Sequence, residues 1–306
     1  MISRNKCSKT VMIKCPLCAG TVHVPSFWGR AVCDDFAFEY LRCRGCGSTF
    51  VDPMPDERLL DQLYTPGYLH EHYSSELQGK RPTAELVEEL EEAVPLAASQ
   101  RPGGRLLDIG CGAGGFLRAA QAAGMYCEGL ERTVETAQLV ERTTRIRVHA
   151  GEVARLEGAY DVIHLADVLE HQPRPLETLV QARRLLAPGG LLLARGPLQG
   201  QRHLFLWLLR LHRSVRAQLG RLPLSNTPPL HVIHFTIAGW RVLFERAGLE
   251  CLRERIYEVH WPAPEQFHLN LKSVAKEVSI LATCSPIGRL LVLGNRVISL
   301  FATRAL

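Results

Sequence analysis

An aspartate followed by glycines at every second position, Asp108-Ile109-Gly110-Cys111-Gly112-Ala113-Gly114-Gly115, constrains the fold of this chain more than any other stretch. It closes a short apolar run, Arg105-Leu106-Leu107, and opens a segment from Gly115 to Gly124 that reads as a helix. Strand, glycine turn and helix in that order open a βα unit, and the turn lets backbone approach a ligand closely. The alternation then continues. Strands are expected at Cys127–Glu131, Arg147–Ala150, Asp161–Ala166 and Leu191–Ala194, with a helix through Leu176–Leu186 that ends at Pro188-Gly189-Gly190. This order predicts an α/β fold, a doubly wound and mostly parallel sheet, with its ligand at the carboxyl ends of the strands.

The glycine turn alone leaves the ligand open. Gly110-x-Gly112-x-x-Gly115, with Glu131 about 20 residues on, fits a dinucleotide-binding fingerprint. The same residues read as acid-x-Gly-x-Gly-x-Gly suit S-adenosylmethionine, whose positive amino-acid end a carboxylate can hold while the glycines admit the backbone.

Four of the ten cysteines form two further pairs, Cys15-Pro16-Leu17-Cys18 and Cys43-Arg44-Gly45-Cys46. Each pair can make a tight turn whose N–H groups face the thiolates. Four thiolates close a tetrahedral zinc site with no open position, which is a structural arrangement. A redox dithiol would sit at a strand-to-helix junction, and neither pair does. The remaining cysteines, among them Cys111, Cys127 and Cys251, read as small hydrophobes. Prolines at Pro53 and Pro55 end this module; a helix is expected at about Asp56–Tyr64 and an amphipathic one from Thr83 to Ser99. The 306 residues therefore divide into a zinc ribbon (1–52), a helical linker or lid (53–101) and a main domain (102–306) with a basic amphipathic insertion at about 199–236.

The segment from Leu106 to Gly196 resembles the class I S-adenosylmethionine-dependent methyltransferases. The resemblance rests on Leu107 to Gly114, on Glu131, on Tyr160-Asp161-Val162-Ile163 leading into Asp167-Val168-Leu169-Glu170-His171, and on Leu185-Leu186-Ala187-Pro188-Gly189-Gly190. It implies a Rossmann-like, seven-stranded sheet. It also implies that Asp108, Gly110, Gly112 and Gly114 hold the methionine part and that Glu131 takes the ribose hydroxyls. Glu152 and Val153 would lie along the adenine, and Asp167 would face the cofactor. Cys15 to Gly47, Pro53 to Asp56, Tyr64, Tyr68 and Pro229 to Thr236 are similar to the zinc module, linker and pre-strand segment of bacterial methyltransferases of the sugar and cell-surface glycan type. Departures lie at Leu204–Leu222 and in the tail.

Methyl transfer to an oxygen depends on placing the acceptor against the methyl, helped by a base near neutral pH. His171, His231 and His234 are the candidates, each with a packing role as its alternative. The expected reaction is O-methylation of a small molecule or a glycan- or lipid-linked sugar, with structural zinc and S-adenosylmethionine as cofactors. Residues 203–222 suit a lid, a homodimer contact or a peripheral contact with the inner membrane surface. A net charge of +5 is too mild for a nucleic-acid coat. A ribosomal RNA methyltransferase is disfavoured because Ala166-Asp167-Val168-Leu169 lacks the Asn/Asp-Pro-Pro-aromatic signature of base-amine methylation. A non-catalytic scaffold need not keep both carboxylates, and a nicotinamide dehydrogenase does not explain Asp108 or the Leu-Glu-His piece. A basic N-terminus with no long apolar core before Cys15 points to a reducing, cytoplasmic setting.

Overall fold

A computed structural model of the chain describes residues 13–33, 36–56, 59–60, 84–199, 211, 215, 224–225, 229, 231–257 and 295–304. The N-terminal part is a hairpin of β1 (His23–Cys33) and β2 (Phe36–Cys43), antiparallel, followed by β3 (Thr49–Asp52) beside β2. The two cysteine pairs are the turns at its base. Cys15 N–H donates to Gly20 O and Cys43 N–H to Ser48 O, each at 2.9 Å, which folds both turns tightly around their sulfurs.

Helix α1 (Ala84–Gln100) leads into the main domain. There β4 (Arg105–Ile109), α2 (Gly115–Ala122), β5 (Tyr126–Glu131), α3 (Val134–Thr144), β6 (Val148–Ala150) and β7 (Tyr160–Ala166) follow in order. Then come α4 (Pro175–Arg184), β8 (Leu186–Pro197), two short strands β9 (Leu224–Ser225) and β10 (Ile233–His234), α5 (Ile237–Arg246), β11 (Leu249–Tyr257) and β12 (Arg296–Thr303). The seven-stranded sheet runs β11-β12-β8-β7-β4-β5-β6. Every pair from β6 across to β8 is parallel, whereas β12 is antiparallel to both neighbours. Strand order reverses at β4, so the switch point lies between β4 and β7, where doubly wound sheets leave a crevice.

Alternation along the strands builds two cores. Leu106, Val162, Leu191 and Leu193 face α1, α2 and α3 through Val94, Phe116, Leu117 and Val140. Leu107, Ile163, Leu192 and Ala194 face the other way, onto Leu179 of α4 and Trp240, Leu243 and Phe244 of α5. Strands buried on both faces need apolar residues at both parities, which is why they read as continuous apolar runs. Gly196 leaves room for Trp240, whose ring would stand 2.9 Å from a Cβ there.

The expected strands and helices of the main domain are present, and the tail strand is β12. Strand β8 is longer than expected. Its pairing with β7 begins at Tyr160–Leu186, ahead of Pro188-Gly189-Gly190, and slips in register before Val162–Leu191. The larger departure concerns the ribbon, which is not a separate hairpin. β10 pairs antiparallel with β3 and β9 parallel with β1, giving the five-stranded order β10-β3-β2-β1-β9. Two strands of that sheet come from the segment between β8 and α5. Residues 61–83, with Tyr64 and Tyr68, and nearly all of 203–222 lie outside the described residues. Among the described residues, no helix is long and apolar enough to cross a membrane.

Candidate functional site

The glycine turn after β4 is held from three sides. Gly110 and Gly114 have φ of +71° and +77°, and a Cβ would stand 2.7 Å from Val168 Cγ2 at the first and 2.4 Å from Thr144 Cγ2 at the second. Both positions need glycine for space as well as for backbone. Gly112 N–H donates to Glu131 Oε1 at 2.7 Å, which ties the turn to the end of β5. Burial pushes the Glu131 carboxyl up to about 7, against the amides of Gly112 and Arg132. Asp108, expected at the lip of the turn, is 3 % exposed, with Oδ1 2.7 Å from Nδ1 of His164 on β7. The two are register partners on adjacent strands, and the His164 ring stacks on Phe116 at 3.7 Å. Asp108 therefore braces the turn from beneath. Glu152 is exposed and Val153 buried, at the one-turn 3-10 helix Val153–Arg155 after β6.

These residues fit S-adenosylmethionine. Gly110 and Gly114 hold the turn in a left-handed backbone packed tightly on Val168 and Thr144, which keeps it free of side chains; a carboxylate ends β5, and Val153 supplies an apolar edge one strand further on. When bound, the cofactor supplies an electrophilic methyl group on sulfur.

The end of β7 carries the second half of the site. Asp167 takes a left-handed φ of 53°, a conformation short polar residues tolerate. Its Oδ2 accepts from Arg195 at 2.7 Å and its Oδ1 from Arg296. Burial works against ionisation here, but Arg195 and Arg296 prevail and hold the carboxyl below its ordinary value. Asp167 thus ties the carboxyl end of β8 to the amino end of the antiparallel β12. Three residues on, Glu170 is 1 % exposed and neither of its carboxylate oxygens has a hydrogen-bond partner. Burial, and then the neighbouring Asp167 charge, raise its pKa well above the usual value.

The structure brings the three candidate histidines together. His171 and His231 meet edge to face at 4.7 Å between ring centroids, and His234 lies 5.9 Å from His231. Val232 N–H donates to Glu170 O at 2.9 Å, which fixes the His231 segment against the end of β7. The ribbon fixes it from the other side. Trp28 of β1 stacks on His234 at 4.9 Å and 7°, and Tyr40 of β2 lies against the same ring. Burial, then His231 and His171, push the His234 pKa down to about 3, so the ring is neutral and packs rather than titrates. Burial also lowers His231, with Asp167 opposing. Glu170, Arg195 and Arg296 were not anticipated from the sequence; the one available signal was an Arg in an otherwise apolar strand run at Arg195.

In the ribbon, Cys15 Sγ lies 3.7 Å from Cys46 Sγ and Cys18 Sγ 3.5 Å from Cys43 Sγ, and all four fall within one cluster. Tetrahedral zinc with Zn–S of about 2.3 Å places its sulfurs about 3.8 Å apart, so the donors fit that ion. Backbone N–H groups of Leu17 and Cys18 face Cys15, that of Gly20 faces Cys18 and that of Ser48 faces Cys46, as thiolates require. Ser48 and Thr236 join the cluster to α5: Thr236 Oγ1 donates to Cys46 O at 2.6 Å and Thr236 N–H to Ser48 Oγ at 3.0 Å.

A family model described as "Methyltransferase domain" matches residues 77–254, more than half of the chain. The 27-O-demethylrifamycin SV methyltransferase of Amycolatopsis mediterranei is 32% identical over 144 residues, 43% of this chain and 52% of that protein. The ubiquinone biosynthesis O-methyltransferase of Aromatoleum aromaticum is 31% identical over 97 residues, 29% of this chain and 42% of that protein. The chain thus spans about half the length of the curated relatives it matches. Among solved structures, magnesium protoporphyrin IX methyltransferase from Synechocystis with bound SAH superimposes with a TM-score of 0.53 at 14% identity, over 82% of this chain and all of that one. That likeness carries the fold alone, and the fold implies S-adenosylmethionine as cofactor. With the glycine turn, the strand order and the family match in agreement, the chain belongs to the methyltransferase-domain family.

Proposed function

We propose that this chain is an S-adenosylmethionine-dependent O-methyltransferase acting on a hydroxyl of a small molecule or of a glycan- or lipid-linked sugar, with structural zinc in its ribbon. The observation that carries the reading is the Glu131–Gly112 bond, which ties the glycine turn after β4 to the end of β5; the His171–His231 pair follows β7, the other neighbour of β4. Asp108 braces the turn that receives the methionine part, Glu131 takes the ribose hydroxyls, and Glu152 and Val153 border the adenine. Asp167, locked between Arg195 and Arg296, shapes the floor between cofactor and acceptor. The named activities of the two relatives, both methylations with oxygen in the printed name, favour an oxygen acceptor. The ribbon, linker and main domain (1–52, 53–101 and 102–306) form one functional unit, in which residues 203–222 select the acceptor.

Calorimetric titration with S-adenosylhomocysteine tests the cofactor half. Wild type binds one equivalent. Glu131→Ala weakens binding on the order of 100-fold, as loss of two hydrogen bonds to a charged group at about 1.5 kcal/mol each implies, and Asp108→Ala abolishes it. The ribose hydroxyls need an ionised Glu131, so affinity falls as pH drops below about 7 and Glu131→Gln removes that dependence. Tight, pH-independent binding by both alanine variants overturns the assignment.

A further inference from the structure

Glu170 is the anomaly of this molecule. A buried carboxyl group without a partner is costly, and folded proteins hold few of them without a reason. Glu128 shows what this chain does with a retained glutamate elsewhere: Arg105, His149 and Tyr160 all bond to it. Among the described residues no side chain bonds to Glu170, and two imidazoles stand close to it. One ligand atom from each of Glu170, His171 and His231 lies within 4.8 Å of the others. Donors that share a first-row ion at about 2.1 Å stand about 3.0–3.4 Å apart, so small side-chain rotations close the set.

We propose that Glu170, His171 and His231 form a second metal site, distinct from the four-cysteine cluster, for a first-row divalent ion such as manganese, cobalt or zinc. Two imidazoles and one carboxylate select that class over magnesium or calcium, which take oxygen shells. Arg195 and Arg296 are both paired with Asp167, whose carboxylate offsets their charge beside the site. Three protein ligands leave coordination positions open, the arrangement of a catalytic site. The scaffold fits this purpose: Glu170 and His171 sit in the 3-10 turn directly after β7, and the Val232–Glu170 backbone bond delivers His231 to them. Val168, which touches the glycine turn, is two residues before Glu170, so the ion would lie beside the cofactor crevice.

The use of the ion rests on the methyltransferase reading, although the site itself does not. An acceptor hydroxyl on an open position loses its proton to water more readily, as metal-held water does. Its oxygen then forms the C–O bond as the methyl–sulfur bond breaks, and the sulfur leaves as a neutral thioether. His171 and His231 are ligands in this scheme, and no histidine base is required.

Cobalt uptake by the full chain, purified with its ribbon zinc, tests the site. Equilibrium dialysis against cobalt(II), with total metal by mass spectrometry, is expected to give one cobalt per chain with the zinc retained. The visible spectrum should show weak d–d bands without the intense sulfur-to-cobalt charge transfer that displacement into the cysteine cluster would produce. Glu170→Gln and His231→Ala each lose at least tenfold in cobalt affinity, and His171→Asn, on a half-exposed residue, does the same with less risk to folding. Zinc content and S-adenosylhomocysteine binding of each variant report that the fold is intact. Wild type that takes up no cobalt beyond exchange for zinc overturns the proposal, as do folded variants that bind cobalt like wild type. Cobalt bound without S-adenosylhomocysteine binding would instead overturn the methyltransferase reading and leave the metal site standing.

Discussion

The four-cysteine cluster and the Glu170–His171–His231 cluster both gather metal-ligand side chains, and they are built in opposite ways. The cysteines come as two local pairs whose turns aim backbone N–H groups at Cys15, Cys18 and Cys46. Four thiolates on one zinc would leave no open position, the arrangement of a structural site. The second cluster joins residues 60 positions apart, leaves both Glu170 carboxyl oxygens without a hydrogen-bond partner among the described residues, and follows β7 at the switch point of the sheet. One is supported by its own backbone; under the metal proposal, the other is completed by a bound ion. They are also coupled, because β3 follows the second cysteine pair and pairs with β10, which begins two residues after His231. Thr49 opposite His234 and Phe50 opposite Ile233 make the ribbon the clamp that presents His231.

The strongest way to break this comparison is to open the closed cluster. Cys46→Ser removes one of four thiolates and with it most of the zinc affinity. The ribbon should lose its fold, at a cost of several kcal/mol and a fall in melting temperature on the order of 10 °C. If the ribbon is a clamp, methyl transfer and cobalt uptake vanish with it, while S-adenosylhomocysteine still binds to the main domain. Retention of cobalt uptake at wild-type affinity in this variant would show that the two clusters are independent. Zinc content, calorimetry and circular dichroism on one preparation decide it.

A smaller effect, of opposite sign, sharpens the contrast. A residue kept for function at the expense of stability becomes more stable when replaced by an apolar one of similar size. Glu170→Met in protein stripped of cobalt should gain about 1–2 kcal/mol in stability and raise the melting temperature by a few degrees. A loss of stability instead would mean that Glu170 is held by interactions of its own and that its burial is structural.

The same contrast explains what was legible in the sequence. The cysteine pairs could be read because their ligands are neighbours in sequence, and the doubly wound sheet because strands buried on both faces are written as apolar runs between helices. The Asp108 turn was legible as a ligand loop, but its orientation was not. Only the β4–β7 register shows that its carboxylate meets His164 below the turn. A two-residue strand such as β10 has no periodicity, so the merging of ribbon and main domain left no mark. Glu170 in Leu169-Glu170-His171 looks like any solvated helix-start acid, and its isolation exists only once α5, Gly196 and the His231 segment have packed around it.

Glu128 is the reference against which the isolation of Glu170 is measured, and it yields the smallest effect. Its Oε2 receives His149 at 2.7 Å and Tyr160 at 3.0 Å, and its Oε1 receives Arg105 at 3.0 Å. Burial works against ionisation, but these donors pull its pKa from 4.5 down to about 2. A folded-state value below the unfolded one adds stability above the unfolded pKa and loses it as pH falls through the folded one. With 22% of the side chain exposed, solvent screening leaves on the order of 1 kcal/mol. Glu128→Gln should therefore melt a few degrees below wild type at pH 5–7, and the gap should close as pH falls from about 4.5 to about 2. A gap that stays constant across that range would assign the loss to packing rather than to charge. The satisfied glutamate would then no longer serve as the electrostatic counterpart of the orphaned one.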